Sequence, residues 1–189
     1  MFIVISELDK LSENFKDLFN DKETYDTTLK VQEMEYKVHR CVLIARSSVF
    51  AATFRHDTLE KQTGVINIPD CDPDSFQEFL QYLYCGELEL LSFRNALNLY
   101  CTSDKYNVQE VKIFCVDYLM RNLTVQNLCE IVVFADKYGE TILLTAVQDF
   151  FNKNVCEIFE TSEWECFLKQ NNHLANKLLK EMAKVKLKM

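Results

Sequence analysis

His39-Arg-Cys-Val-Leu-Ile-Ala-Arg-Ser-Ser-Val-Phe50, continued by Ala51-Ala-Thr-Phe54, is the stretch on which the fold of this chain turns. An apolar helical pattern opens at His39 and breaks at Ala45-Arg-Ser-Ser48, with aromatic residues behind it. The spacing predicts two linked helical turns over 40–55. A strand pattern that contains an aspartate, Tyr25-Asp-Thr-Thr-Leu-Lys-Val31, lies just upstream. At the junction of a strand and an apolar helix, His39 reads as a hydrogen-bonded structural histidine rather than a general base. The stretch carries no catalytic motif, so its role is architectural.

Working outward, residues 7–20 form an amphipathic helix in which Leu8, Leu11, Phe15, Leu18 and Phe19 recur at helical spacing. Short strands are expected at 26–32 and 35–39, and a third at Val65-Ile-Asn-Ile68, introduced by Gly64. Asp72 caps a helix with Pro73 at its first position, where a missing N–H costs nothing, and Gly86 ends it. Ser92 opens helix 93–104, and Asn107-x-x-Glu110 is a capping-box pattern for helix 108–121. Beyond Thr124 the pattern is helical throughout: 125–138, 140–153, a short helix capped by Ser162-x-x-Glu165, and 172–186. The fold class is therefore α+β, a small mixed sheet flanked by helices and followed by an all-α region. The expected division is 1–24, an N-terminal segment with its helix, then 25–121 and 122–189.

The composition excludes several classes of function. Of 189 residues, 48% are hydrophobic and 26% charged, a balance that supports a folded chain. A net charge of −8 disfavours general phosphate-backbone binding, so no nucleic-acid partner is expected. The lysines of 177–188 alternate with apolar residues and read as a terminal amphipathic helix. The opening Met-Phe-Ile-Val-Ile is too short for a signal or a span, so no membrane partner is expected either. The eight cysteines show no Cys-x-x-Cys pairing and no metal-ligand spacing. Cys101, Cys115 and Cys129 fall inside apolar helical patterns, as reduced thiols of an intracellular protein, nuclear or cytoplasmic, would. The three glycines are scattered, so no phosphate cradle exists, and neither Gly-x-Ser-x-Gly nor His-Glu-x-x-His occurs. His56 reads as a surface-loop residue and His173 as a helix-start residue. No catalytic, cofactor-binding or metal-binding residue is assigned, and the chain reads as a non-enzyme.

Taken in order, these motifs resemble the BTB/POZ family, and its speckle-type branch in particular. The carrying residues are Asp26, His39 to Phe54, Val65-Ile-Asn-Ile-Pro-Asp-Cys-Asp-Pro73, and Phe76 to Gly86. Ser103-Asp-Lys-Tyr106 and Val111-Lys-Ile-Phe-Cys115 follow, and Asn122-Leu-Thr-Val125, Ala135-Asp136, Glu160-Thr-Ser-Glu-Trp164 and His173-Leu174 extend the match. The resemblance implies a BTB domain followed by a BACK-like helical domain. It implies homodimers, or heterodimers with other BTB proteins, through a face made of Leu8, Leu11, Phe15, Leu18 and Val42. The residues agree at this point, because an apolar stripe on a terminal helix is an association site more often than not.

The resemblance further implies a non-catalytic substrate adaptor of a cullin-3 ubiquitin ligase, with an unknown protein substrate. The cullin-docking residues would be Thr58, Leu59 and Glu60, with Tyr84, Asp104 and Tyr106 on the same surface. Thr58 departs from the family, which places Met or Leu there, and Leu59 lies one place off. The branch also carries an N-terminal MATH domain, whereas this chain starts almost at the dimer helix. The alternatives are an oligomerisation or transcriptional scaffold, or a dominant competitor that pairs with full-length adaptors and lowers their valency.

Overall fold

The computed structural model describes residues 2–21, 23–55, 62–89 and 92–186, in two compact units, Met1–Cys115 and Val116–Met189. The first unit opens with α1 (Phe2–Asn20), which starts at Phe2 rather than Glu7. Once a helix is nucleated, adding apolar residues to its end costs little. Strands β1 (Thr27–Val31) and β2 (Met34–Val38) pair antiparallel, Val31 opposite Met34, across the turn Gln32-Glu33. Gln32 takes a left-handed φ of 52° without being glycine, and its side-chain amide donates to the Cys71 carbonyl at 2.9 Å. That bond offsets the steric cost of the turn. Strand β3 (Val65–Ile68) pairs parallel to β1, giving a mixed sheet of order β2-β1-β3. Alternate residues Thr27, Leu29 and Val31 of the central strand point into the core.

The His39–Phe54 stretch becomes α2 (Arg40–Arg46) and α3 (Ser48–Arg55), with Ser47 between them. Buried Ser47 serves both sides of this break. Its hydroxyl donates to the Tyr106 carbonyl at 2.6 Å and accepts from the Phe50 N–H at 3.3 Å. The cap of α2 comes from a distance: Asp26 Oδ1 accepts the Arg40 N–H at 2.7 Å. Gly64, at φ 67°, supplies the carbonyl that accepts the Thr28 N–H at 2.7 Å, and a Cβ there would meet the Asp26 carbonyl at 3.1 Å.

Helix α4 (Pro73–Cys85) is capped by Asp72 onto the Ser75 N–H at 3.0 Å and ends at left-handed Gly86, as the sequence indicates. It packs against α1, α2 and α5 (Phe93–Lys105), the last capped by Ser92. Its Phe76 and Phe79 meet Tyr106, which stacks on Phe50 with ring centroids 4.4 Å apart. Helix α6 (Gln109–Arg121) does not use the expected Asn107 cap. Asn107 sits at φ 55°, outside the extended backbone an N-cap needs, and its amide donates to Ser48 Oγ at 2.8 Å. It terminates α5 instead of opening α6.

The second unit contains α7 (Leu128–Tyr138), α8 (Thr141–Phe159), α9 (Ser162–Gln170) and α10 (Asn172–Lys186). Helix α7 begins at Leu128 rather than 125, because Thr124 and Asn127 exchange side-chain to backbone bonds at 2.8 and 3.2 Å in a preceding turn. Left-handed Gly139 ends it. Helix α8 runs past 153 through a kink at Asn154, whose amide donates to the Phe150 carbonyl at 2.8 Å. The cap of α9 is Thr161, not Ser162: Thr161 Oγ1 accepts the Trp164 N–H at 3.2 Å. Trp164 packs among Phe151, Phe159 and Phe167 at 5.3–5.5 Å.

Candidate functional site

His39 ends β2's extended backbone and starts α2, and its buried ring is held on both nitrogens. Its Nδ1 lies 2.9 Å from Tyr84 Oη, and its Nε2 lies 3.0 Å from Thr24 Oγ1. The His39 N–H also donates to Tyr84 Oη, at 2.7 Å. Thr24 Oγ1 passes its proton to Asp21 Oδ2 at 2.9 Å, just past the end of α1. One placement of protons satisfies every partner: Tyr84 O–H to Nδ1, Nε2–H to Thr24, and Thr24 O–H to Asp21. Burial pushes the Tyr84 hydroxyl up to about 12. The reading of His39 as structural holds. His173 lies exposed in the first turn of α10, while His56 lies outside the described residues.

The wall formed by α2 and α4 continues into a groove against α1. The groove holds about 480 Å³ and is floored by Val42, Leu83 and Tyr84, with Leu11 and Phe15 along its α1 side. Leu11 is 50% exposed, Phe15 and Leu18 are half-buried, and Val42 is 7% exposed. The structure thus brings Leu11, Phe15 and Val42 to one groove. Leu18 stands on the same helix outside the groove lining, and the side chain of Leu8 lies outside the described residues. Ser12 fastens α1 to the end of α4 by donating to the Cys85 carbonyl at 2.9 Å, and Lys16 approaches Glu87 at 3.8 Å. Sequence reasoning missed several lining residues, Cys41 and Arg46 among them. The signal was available, since Val42 and Arg46 stand at i,i+4 on one short helix.

The residues expected on a second surface are placed differently from one another. Thr58, Leu59 and Glu60 lie outside the described residues. Asp104 is exposed and pairs with Lys112 at 2.6 Å, and Ile113 on α6 is 62% exposed. Tyr106 is buried in the aromatic cluster with its hydroxyl pushed upward by burial. Tyr84 is buried too, and belongs to the α1–α2–α4 groove. Tyr106 offers no open face, and Tyr84 reaches only the floor of the groove.

Burial raises the Cys115 and Cys129 thiols to about 12 and about 11, away from thiolate reactivity. Cys41, Cys156 and Cys166 are exposed, whereas Cys71, Cys115 and Cys129 are buried. Among the described residues no group of His, Cys, Asp or Glu could hold a metal ion. Among them, too, no helix is long and apolar enough to cross a membrane.

Among the described residues, a mixed three-stranded sheet lies under helices, with an apolar groove beside the first helix. The family model for the BTB/POZ domain matches residues 15–123, and the chain belongs to that family. BTB domains mediate homo- and heterodimerisation. The chain is similar to mouse TD and POZ domain-containing protein 3, 32% identical over 93% of this chain and 48% of the relative. It is equally similar to mouse TD and POZ domain-containing protein 1, 32% identical over 92% of this chain and 48% of the relative. The chain spans about half the length of these curated relatives. These relatives carry the family resemblance read from the motifs and do not single out its speckle-type branch.

Proposed function

We propose that the protein is a non-catalytic BTB adaptor that self-associates, or pairs with another BTB protein, through the α1 face and docks cullin-3 to feed ubiquitylation of a bound substrate. Family membership supports the adaptor role, and one observation carries the association face. Leu11, a large apolar side chain, is half exposed at the mouth of an apolar groove, so covering it removes hydrocarbon from water. The docking residues would be Thr58, Leu59 and Glu60, together with exposed Asp104 and with Ile113 on α6. Buried Tyr106 and Tyr84 would act behind that surface by holding α5 and α4 in place. Co-purification of the chain with cullin-3 tests the reading, and absence of binding at micromolar concentration would sink it.

The second reading is a scaffold, or a competitor that pairs with longer adaptors, without cullin contact. Thr58 favours it, because threonine supplies less apolar surface than the Met or Leu usual at that position. A complex with another BTB protein that carries no cullin-3 is its expected signature.

A further inference from the structure

The groove between α1, α2 and α4 has a charge asymmetry that its apolar floor conceals. Its lining contains one cation, Arg46, and no acidic residue. This is unusual ground in a chain of net charge −8. The Arg46 guanidinium lies over the Tyr82 ring at 5.2 Å and is exposed, with no acidic partner among the described residues. A two-fold contact that presents the same lining twice adds a second Arg46, and a carboxylate to meet it has to come from outside the lining, whereas an anionic ligand supplies one within it. The volume, about 480 Å³, falls within the range of small-molecule sites, which are mostly apolar with a few polar groups that fix orientation.

We propose that this groove binds a small anionic amphiphile, a medium-chain carboxylate, with its chain over Val42, Leu83 and Phe15 and its head on Arg46. A guanidinium receives a carboxylate through two parallel N–H donors, which fixes the head and leaves the chain to the apolar floor. The groove shares Leu11 and Val42 with the proposed association face, so occupancy displaces a second copy. Binding itself does not rest on the self-association reading, whereas the competition does.

Cys41 lines the groove and is exposed, whereas Cys156 and Cys166 are exposed outside its lining, so the chain carries its own reporter and references. The full chain is alkylated with iodoacetamide with and without decanoate, below its micelle concentration, and each cysteine is followed by peptide mass spectrometry. At decanoate tenfold above its dissociation constant, Cys41 labelling slows about tenfold while Cys156 and Cys166 keep their rates. Decyltrimethylammonium, of the same chain length and opposite charge, gives no protection. Arg46→Gln removes the decanoate effect and Arg46→Lys restores most of it.

Equal protection by both amphiphiles, full protection in Arg46→Gln, or no protection with decanoate each overturns the proposal. Calorimetric titration of decanoate makes the same comparison independently of thiol chemistry. Light scattering on the same samples separates the two readings. A fall in mass with decanoate supports competition, and an unchanged dimer with protected Cys41 overturns it. A chain that is monomeric before any addition refutes the association reading and leaves the labelling result standing.

Discussion

His39 and Tyr84, 45 positions apart, are joined twice through one oxygen: Tyr84 Oη takes the His39 N–H at 2.7 Å and faces its Nδ1 at 2.9 Å. The pair fixes the start of α2 to the end of α4, and so sets the wall of the groove. Tyr84→Phe leaves a buried N–H and a ring nitrogen without a partner and should cost about 1–3 kcal/mol. Urea unfolding measures it; a loss under about 0.5 kcal/mol would mean that the pair does not hold the wall.

Leu11 is the position where association and folding separate most cleanly. Because it is half exposed, Leu11→Asp should change the stability of the fold by less than about 0.5 kcal/mol. Leu11→Asp with Leu18→Asp should give a soluble monomer by light scattering. An unchanged mass would move the interface elsewhere.

The cap of α9 gives a one-residue test of the second unit. Thr161→Ala should cost about 1 kcal/mol, since its hydroxyl accepts the Trp164 N–H. Ser162→Ala, which loses only a contact with Glu163 at 3.1 Å, should be close to neutral. The reverse ranking in thermal melts would restore Ser162 as the cap.

Alkaline pH should destabilise the protein. Burial raises the Cys115 thiol from 9.0 to about 12 and the Tyr84 hydroxyl from 10.0 to about 12. Above pH 9 the unfolded chain releases these protons while the folded chain keeps them, so the unfolded chain binds fewer protons and stability falls as pH rises. The contribution is fully present below pH 9 and is lost progressively towards about pH 12. Urea midpoints at about pH 8 and about pH 10.5 check this, and Cys115→Val should flatten the difference. A midpoint that does not move would exclude the mechanism.

Thr58 governs the cullin reading. Thr58→Met adds apolar surface of about one to two methylenes, and should tighten cullin-3 binding roughly tenfold. Titration with the purified cullin is the measurement. An unchanged affinity would show that position 58 lies outside the contact.

The parts of the fold that follow local rules are legible in the sequence. Pro73–Cys85 is an example, because Asp72, Pro73 and Gly86 each act within a few residues of the helix end they determine. Asn107 is misleading for a physical reason. The same side chain can cap a following helix or occupy a left-handed position after a preceding one, and contact with Ser48, 59 positions away, selects the second. The α1 stripe is legible by its period, but its depth is not: Leu11 and Val42 look alike in sequence and differ as 50% and 7% exposed. The Tyr84 partnership with His39 has no local signal, since only the folded chain brings α4 under α2.

The parallel pairing of β1 with β3 constrains the order in which this molecule can assemble. The β1–β2 hairpin closes over Gln32-Glu33 and can form within microseconds, but two strands alone are marginal in water. The third strand joins Thr28–Val31 to Val65–Ile68, and the chain between them includes all of α2 and α3. Completing the sheet therefore closes a much longer loop than the hairpin does, at a larger entropic cost. A nascent chain that ends near Arg55 would hold a hairpin and two helices with no third strand to close the sheet. A chain that lacks Val65–Ile68 leaves one edge of the central strand β1 unpaired, and an unpaired edge is a template for pairing with another chain.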